Sequence, residues 1–425
     1  MTASPPASLN DWLTRLELLH PTAIELGLER VRRVAGALAL RPGCPLLTIG
    51  GTNGKGSTCA TLEAMLLAAG YTTGLYTSPH LLRYNERVRI AGREAGDAEL
   101  VAAFEAIESA RGETSLTYFE FGTLAAMLLF IQAGVDVVIL EVGLGGRLDA
   151  VNLWDADTAL VTSVDLDHQD YLGHTREAIG FEKAGIFRPG RPALCADPDP
   201  PSSLLEHARA IGADLRCIGR DFSYLRSGAG WTWQGRHALW QDLPFPAMAG
   251  AYQLRNAAAA LAALEAVSGQ LPVDAAAIRQ GLRQACVPGR FQTIAQAPAL
   301  IVDVAHNAEA ARALASALDD TPVAGRTLAV IGMLADKDAS AVIEALRGRV
   351  NVWWACTPDS PRARDAASLA ATIRKVLPGA DARLAATPVD ALAAARSAAR
   401  EGDRILVFGS FTTVAAVLDH AATQQ

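Results

Sequence analysis

Leu46-Leu47-Thr48-Ile49-Gly50-Gly51-Thr52-Asn53-Gly54-Lys55-Gly56-Ser57 decides how this chain reads, because an apolar run passes through a glycine-rich turn directly into the helix-compatible Ala60 to Ala69. That order predicts a strand, a loop and a helix N-terminus. Four glycines let backbone N–H groups come close to an anion, and the helix start adds the positive end of its dipole. Lys55 supplies a point charge and Ser57 an oxygen for a metal, so the stretch is read as a nucleotide triphosphate site. The spacing departs from the ordinary phosphate loop, since Gly56 separates Lys55 from the hydroxyl residue.

Working outward, apolar runs recur and end in polar groups. Tyr71 to Tyr76 reads as a strand leading to Ser78, Val135 to Glu141 as a buried parallel strand closing on a carboxylate, and Thr158 to Val164 as another, closing on Asp165-Leu166-Asp167-His168. Helices are expected from about Trp12 (capped by Ser8 or Asn10), after Leu28, over Ala98 to Ala110 and over Phe121 to Ala133. Leu81 to Arg93, with Arg83, Arg87 and Arg89, reads as a mobile substrate loop, and Phe222 to Trp240 as a small antiparallel excursion. Helices Asn256 to Ala266 and Asp274 to Gln284 precede a break at Pro288-Gly289. Beyond it the strands Ala299 to Val304, Thr327 to Ile331, Asn351 to Ala355 and Arg404 to Phe408 restart the alternation. The expected fold is α/β: an N-terminal P-loop doubly wound domain over residues 1–288, then a smaller Rossmann-like α/β domain over 289–425. In such sheets ligands gather at strand carboxyl ends, where Gly51, Ser78, Glu141 and His168 fall.

Composition narrows the function classes. A length of 425 residues favours two domains, and 50% hydrophobic residues suffice for two cores. A net charge of -7 without a dense basic run argues against nucleic acid. Six scattered cysteines without C-x-x-C spacing suit reduced thiols, and neither the polar stretch Met1 to Asn10 nor any longer window reads as a membrane segment, so a soluble, cytoplasmic protein is expected. Arginine does most of the cationic work: lysine occurs only as Lys55, Lys183, Lys337 and Lys375.

Taken alone, Glu141 fits a strand-end carboxylate that orients magnesium or caps the following turn, and His168 fits a proton carrier or a satisfied histidine. Lys183 reads as a surface lysine paired with Glu182. Arg290 offers a fork suited to phosphate, and Ser410 a helix cap. An aromatic wall at Tyr118 and Phe119 with carboxylates nearby would suit a flat heteroaromatic ring.

The glycine loop resembles that of the ATP-dependent amide ligases that include the muramyl ligases and folylpolyglutamate synthase. Asp165-Leu166-Asp167-His168, Glu182-Lys183-Ala184-Gly185-Ile186 and the segments below narrow the likeness, along nearly the whole chain, to bifunctional dihydrofolate synthase/folylpolyglutamate synthase. The resemblance implies ATP binding by Thr52, Asn53, Gly54, Lys55, Gly56, Ser57, Asn256, Arg290 and Asp303. It implies two Mg2+ sites drawing on Ser57, Ser78, Glu141, His168 and a carbamylated Lys183, with a monovalent cation as a further candidate. Pterin recognition is implied for Ala23, Ile24, Glu25 and Leu26, for Thr117, Tyr118, Phe119 and Glu120, and for Leu148, Asp149 and Ala150. His306 and Ser410 are the glutamate candidates, and Lys55, Lys183 and His306 the catalytic ones. One departure is Ala308, where related sequences often carry proline. The implied activity joins L-glutamate to dihydropteroate and to tetrahydrofolate through an acyl phosphate, in a monomer. The alternatives are a folylpolyglutamate synthase without the dihydropteroate activity, a nucleotide-dependent regulator, and a muramyl ligase, whose N-terminal nucleotide-sugar domain has no room before a loop at residue 50.

Overall fold

The structure, a computed structural model, describes residues 6–423, so the opening part of the polar Met1 to Asn10 stretch lies outside the described residues. The chain divides into two compact units. One runs up to Ala247 and adds Leu254–Cys286; the other comprises Met248–Gln253 and the chain from Val287 onward, against the single break expected after residue 288.

The first unit is built on β1 (Leu46–Gly50), β2 (Thr73–Tyr76), β3 (Val88–Ile90), β4 (Arg93–Glu94), β5 (Val137–Glu141), β6 (Thr158–Val161), β7 (Pro192–Cys195) and β8 (Asp214–Cys217). They form an eight-stranded sheet in the order β4, β3, β2, β5, β1, β6, β7, β8. It is parallel apart from β3 and β4. Side chains alternate between two buried clusters: Leu46, Val138 and Leu140 join one, while Leu47, Ile49 and Ile139 join the other. Both faces are therefore covered, as continuous Val/Ile/Leu runs require. Register sets Ile49 beside Glu141 and Gly50 beside Val161, so the carboxyl ends of β1, β5 and β6 come level at the glycine loop.

Two expectations change. The Leu81 to Arg93 stretch carries regular structure: Tyr84–Arg87 is a 3-10 turn with Tyr84 buried, and β3 pairs with β2. Arg89 meets the buried Glu63 carboxylate at 3.1 Å, and Arg87 lies over the rings of Tyr84 and Tyr118, so these arginines serve tertiary partners. The strand from Thr158 ends at Val161, because Thr162 and Ser163 turn their hydroxyls to the glycine loop. The antiparallel excursion is present as β9 (Ser223–Ser227), β10 (Gly230–Gln234) and β11 (Leu239–Leu243). Trp231 and Trp233 are buried there and donate from Nε1 to the carbonyls of Pro244 (2.8 Å) and Ala258 (3.0 Å).

The second unit holds β12 (Gln292–Gln296), β13 (Ala299–Val302), β14 (Thr327–Ile331), β15 (Val352–Ala355), β16 (Asp381–Leu384) and β17 (Arg404–Phe408). Their order is β12, β13, β17, β14, β15, β16, with only the edge strand β12 antiparallel. Helices Ala308–Asp320 and Phe411–Thr423 follow β13 and β17. At Ala308 the missing proline costs no cap, since Asn307 Oδ1 accepts from the Ala310 amide at 2.9 Å.

Candidate active site

The glycine loop is clamped by Thr162, Ser163 and the Asp165 backbone. The Thr52 amide donates to the Ser163 carbonyl (2.8 Å), and the Asn53 amide to Ser163 Oγ (3.1 Å). Thr162 Oγ1 donates to the Asn53 carbonyl at 2.6 Å, and Thr52 Oγ1 exchanges bonds with the Asp165 backbone. Glycine is required at two points here. Gly51 has φ +142°, and a Cβ there would lie 1.9 Å from Thr162 Oγ1; Gly54 has φ +87°, and its Cβ would lie 2.5 Å from Asn256 Oδ1. The close approach at Gly54 brings Asn256, on the helix Tyr252–Val267, against the loop.

Helix Lys55–Ala68 starts at Gly54 without a side-chain cap, leaving first-turn amides of the kind that receive anions. Gly56 and the buried Ser57 follow within that first turn. Lys55 Nζ folds back onto the carbonyls of Gly51 (3.0 Å) and Thr52 (3.1 Å). On β5 the buried Glu141 accepts from the Ser78 amide at 3.1 Å, so two of the metal candidates meet. Ser57 and Glu141 are oxygen donors, and Mg2+ takes one or two protein carboxylates with waters and substrate phosphates in preference to an all-protein cage. The residues thus fit a magnesium ion. Among the described residues no three His, Cys, Asp or Glu side chains gather to hold a metal. His168 is exposed, has φ +51° and opens the short helix Gln169–Leu172; its place as a ligand rests on the resemblance.

Lys183 departs from the surface reading. It is 4% exposed in the last turn of helix Arg176–Ala184, and Glu182 is taken by Arg147 at 2.8 Å.

The pterin candidates come together in part. Thr117 and Glu120 form the capping box of helix Tyr118–Ala133: Glu120 accepts from the Thr117 amide at 2.8 Å, and Thr117 Oγ1 from the Glu120 amide at 3.2 Å. Glu120 also pairs with Arg30 at 3.0 Å, and Arg30 pairs with Glu25, whose carboxyl is held below its ordinary value first by the His20 hydrogen bond. The Gly27 amide donates to the Leu148 carbonyl at 3.3 Å, tying the Ala23 to Leu26 stretch, with Ile24 exposed, to the third segment. Tyr118 and Phe119 are half-buried, and the Phe119 ring lies 5.8 Å from that of Tyr76, tilted by 40°. Arg30 was not legible as a partner of Glu120, which lies 90 residues along the chain.

Asp149 caps the turn Ala150–Leu153, accepting from the amides of Leu144 (2.8 Å) and Val151 (3.0 Å). Burial pushes its carboxyl up to about 6, against the pull of those amides and of Lys55. The folded value lies above the ordinary 3.8, so protonation favours folding: that stabilisation is complete below pH 3.8 and is lost as pH rises through about 6. Wild type should therefore lose about 3 kcal/mol relative to Asp149→Asn across that window. Urea unfolding at a series of pH values checks this, and parallel curves for the two proteins contradict it.

In the second unit the buried Asp303 directly follows β13 and accepts from the amides of Phe291 and Ala305, both at 2.8 Å. Burial raises its carboxyl, opposed first by Arg290. His306 Nδ1 donates to the Val304 carbonyl at 2.9 Å. Ser410 Oγ accepts from the Thr413 amide at 3.1 Å and is the cap of the last helix.

Residues 49–196 match the Mur ligase middle domain, and residues 289–411 the Mur ligase glutamate ligase domain. The dihydrofolate synthase/folylpolyglutamate synthase of Escherichia coli is 48% identical over 98% of this chain and 96% of its own length. A structure of E. coli FolC in complex with DHPP and ADP superposes with a TM-score of 0.95 at 46% identity, covering 100% of both chains. A Yersinia pestis folylpolyglutamate synthase/dihydrofolate synthase with AMPPNP and a Mn ion gives 0.92 at 47% identity, again over 100% of both. The chain belongs to the dihydrofolate synthase/folylpolyglutamate synthase family of Mur ligases, enzymes that form amide bonds at the expense of ATP.

Proposed function

We propose that the protein joins L-glutamate to 7,8-dihydropteroate, giving dihydrofolate, and adds further glutamates to tetrahydrofolate. The observation that carries this reading is Lys55 at an uncapped helix start in a chain 48% identical, nearly end to end, to a protein of that name. A carboxylate oxygen of the pterin substrate attacks the γ-phosphorus of ATP, the bond to ADP breaks, and an acyl phosphate forms. The glutamate amine then attacks the acyl carbon, the carbon–oxygen bond breaks, phosphate leaves, and the amine loses its proton.

Lys55 and the amides around Thr52 to Ser57 hold the charge that spreads over the transferring phosphoryl oxygens. Ser57 and Glu141 would hold Mg2+, which would neutralise phosphate charge when bound; Ser78, His168 and a carbamylated Lys183 would complete two metal sites, with a monovalent cation as a further bound ion. Asn256, Arg290 and Asp303 act on ATP. The segments at Ala23 to Leu26, Thr117 to Glu120 and Leu148 to Ala150 receive the pterin, and His306 with Ser410 orients glutamate. We assign the enzyme to the cytoplasm as a soluble monomer with small-molecule substrates only; among the described residues no helix is long and apolar enough to cross a membrane.

A substrate panel tests the reading. ATP-dependent glutamate addition is expected with both dihydropteroate and tetrahydrofolate, followed by product mass. Addition to tetrahydrofolate alone leaves a folylpolyglutamate synthase, and addition to neither removes the proposal.

A further inference from the structure

The ring of Phe411 joins two groups that the proposed reaction uses separately. The Arg290 guanidinium lies 5.4 Å from the centre of the Phe411 ring, and the His306 ring lies 6.0 Å from the same centre, tilted by 55°. All three side chains are half-buried and belong to the second unit.

The backbone around them is fixed from several sides. Asp303 holds the Phe291 amide, the residue after Arg290, and the Ala305 amide, the residue before His306. The Val304 amide donates to the Gly289 carbonyl at 2.9 Å, which stitches the two segments together. Phe411 is the first residue of its helix. Ser410 accepts from the Thr413 amide, and Thr413 Oγ1 donates to the Gly332 carbonyl at 2.9 Å, so the helix start is anchored on β14. Gly409, with φ +111°, makes the turn that delivers it.

A guanidinium on a long stem has many rotamers, and an aromatic face within about 6 Å of it selects among them by electrostatic attraction to the ring quadrupole. An aliphatic side chain of the same bulk would fill the space without that attraction. We propose that Phe411 is a positioning residue: its ring holds the Arg290 fork in the orientation that receives ATP phosphate and seats the His306 ring beside it. This rests on the role assigned to Arg290 above and adds what keeps that arginine ready.

The test separates the ring's electrostatics from its bulk. Phe411→Leu should raise the KM for ATP between about threefold and thirtyfold, the range of a cation–π contact from exposed to desolvated, with a smaller change in kcat and a melting temperature near that of wild type. Phe411→Tyr, which keeps the aromatic face, should restore the KM. In an Arg290→Ala background Phe411→Leu should add nothing further, because the group it positions is gone. Should Phe411→Leu not fold, Phe411→Met takes its place in the same cycle. Equilibrium binding of AMPPNP reads the same contrast without turnover, so absence of amide product in the wild type would count against the proposed reaction and not against this inference. Wild-type nucleotide affinity in Phe411→Leu, failure of tyrosine to restore it, or full additivity with Arg290→Ala would each overturn it.

Discussion

Lys55→Ala lowers turnover on the order of a hundredfold or more, as loss of one transition-state donor does in other enzymes. Lys55 Nζ rests on the carbonyls of Gly51 and Thr52, so its charge is held over the loop, within reach of a phosphate bound there. The loss therefore falls on the step where charge develops, and kcat drops more than nucleotide affinity. Folding should be little affected, because the loop keeps its bonds from Thr162, Ser163 and Asp165. Steady-state kinetics beside a thermal melt measure both. Turnover within a few-fold of wild type in a folded variant contradicts the assignment.

The second large effect concerns Lys183. Its side chain is buried, and the neighbouring Glu182 is committed to Arg147, so the simple surface ion pair does not account for it. The proposed carbamylation would form a bond between the neutral Lys183 amine and the carbon of carbon dioxide, release one proton from that amine nitrogen, and leave a carboxylate in place of the amine. Lys183→Ala should be inactive, and short carboxylic acids such as acetate or formate should restore part of the activity by occupying the vacated space. Rescue that saturates with acid concentration, and fails with an uncharged amide of the same size, supports the carboxylate. Full activity of the unsupplemented alanine variant rules out the role.

Much of this site was legible because strand ends and helix starts write themselves locally. Gly50 to Ser57 shows the loop through residue types that only a close anion and a sharp turn require, and Glu141 stands out as an acid closing an apolar strand. Thr117 and Glu120 carry the three-residue spacing of a capping box, though that reading makes them a helix start first. Groups defined by distant partners stayed hidden. Arg30 meets Glu120 across 90 residues of chain, and Thr162 and Ser163 read as strand continuation until the loop they clamp is in place. Arg87 and Arg89, between Leu81 and Arg93, suggested a substrate loop, whereas Glu63 and the Tyr84 and Tyr118 rings draw them into the fold. Tertiary partners overrode local polarity there, and they also placed Lys183 inside. The same limit hid the role of Phe411, which depends on Arg290, a residue 121 positions away.

The account turns on a pterin carboxylate becoming an acyl phosphate before glutamate attacks. Its most direct measurement uses dihydropteroate labelled with oxygen-18 in the carboxylate, together with ATP and glutamate. Attack on the γ-phosphorus and later cleavage of the carbon–oxygen bond would carry one labelled oxygen into inorganic phosphate for each amide formed, read by mass spectrometry. Unlabelled phosphate alongside amide product, or phosphate released without amide, would contradict it.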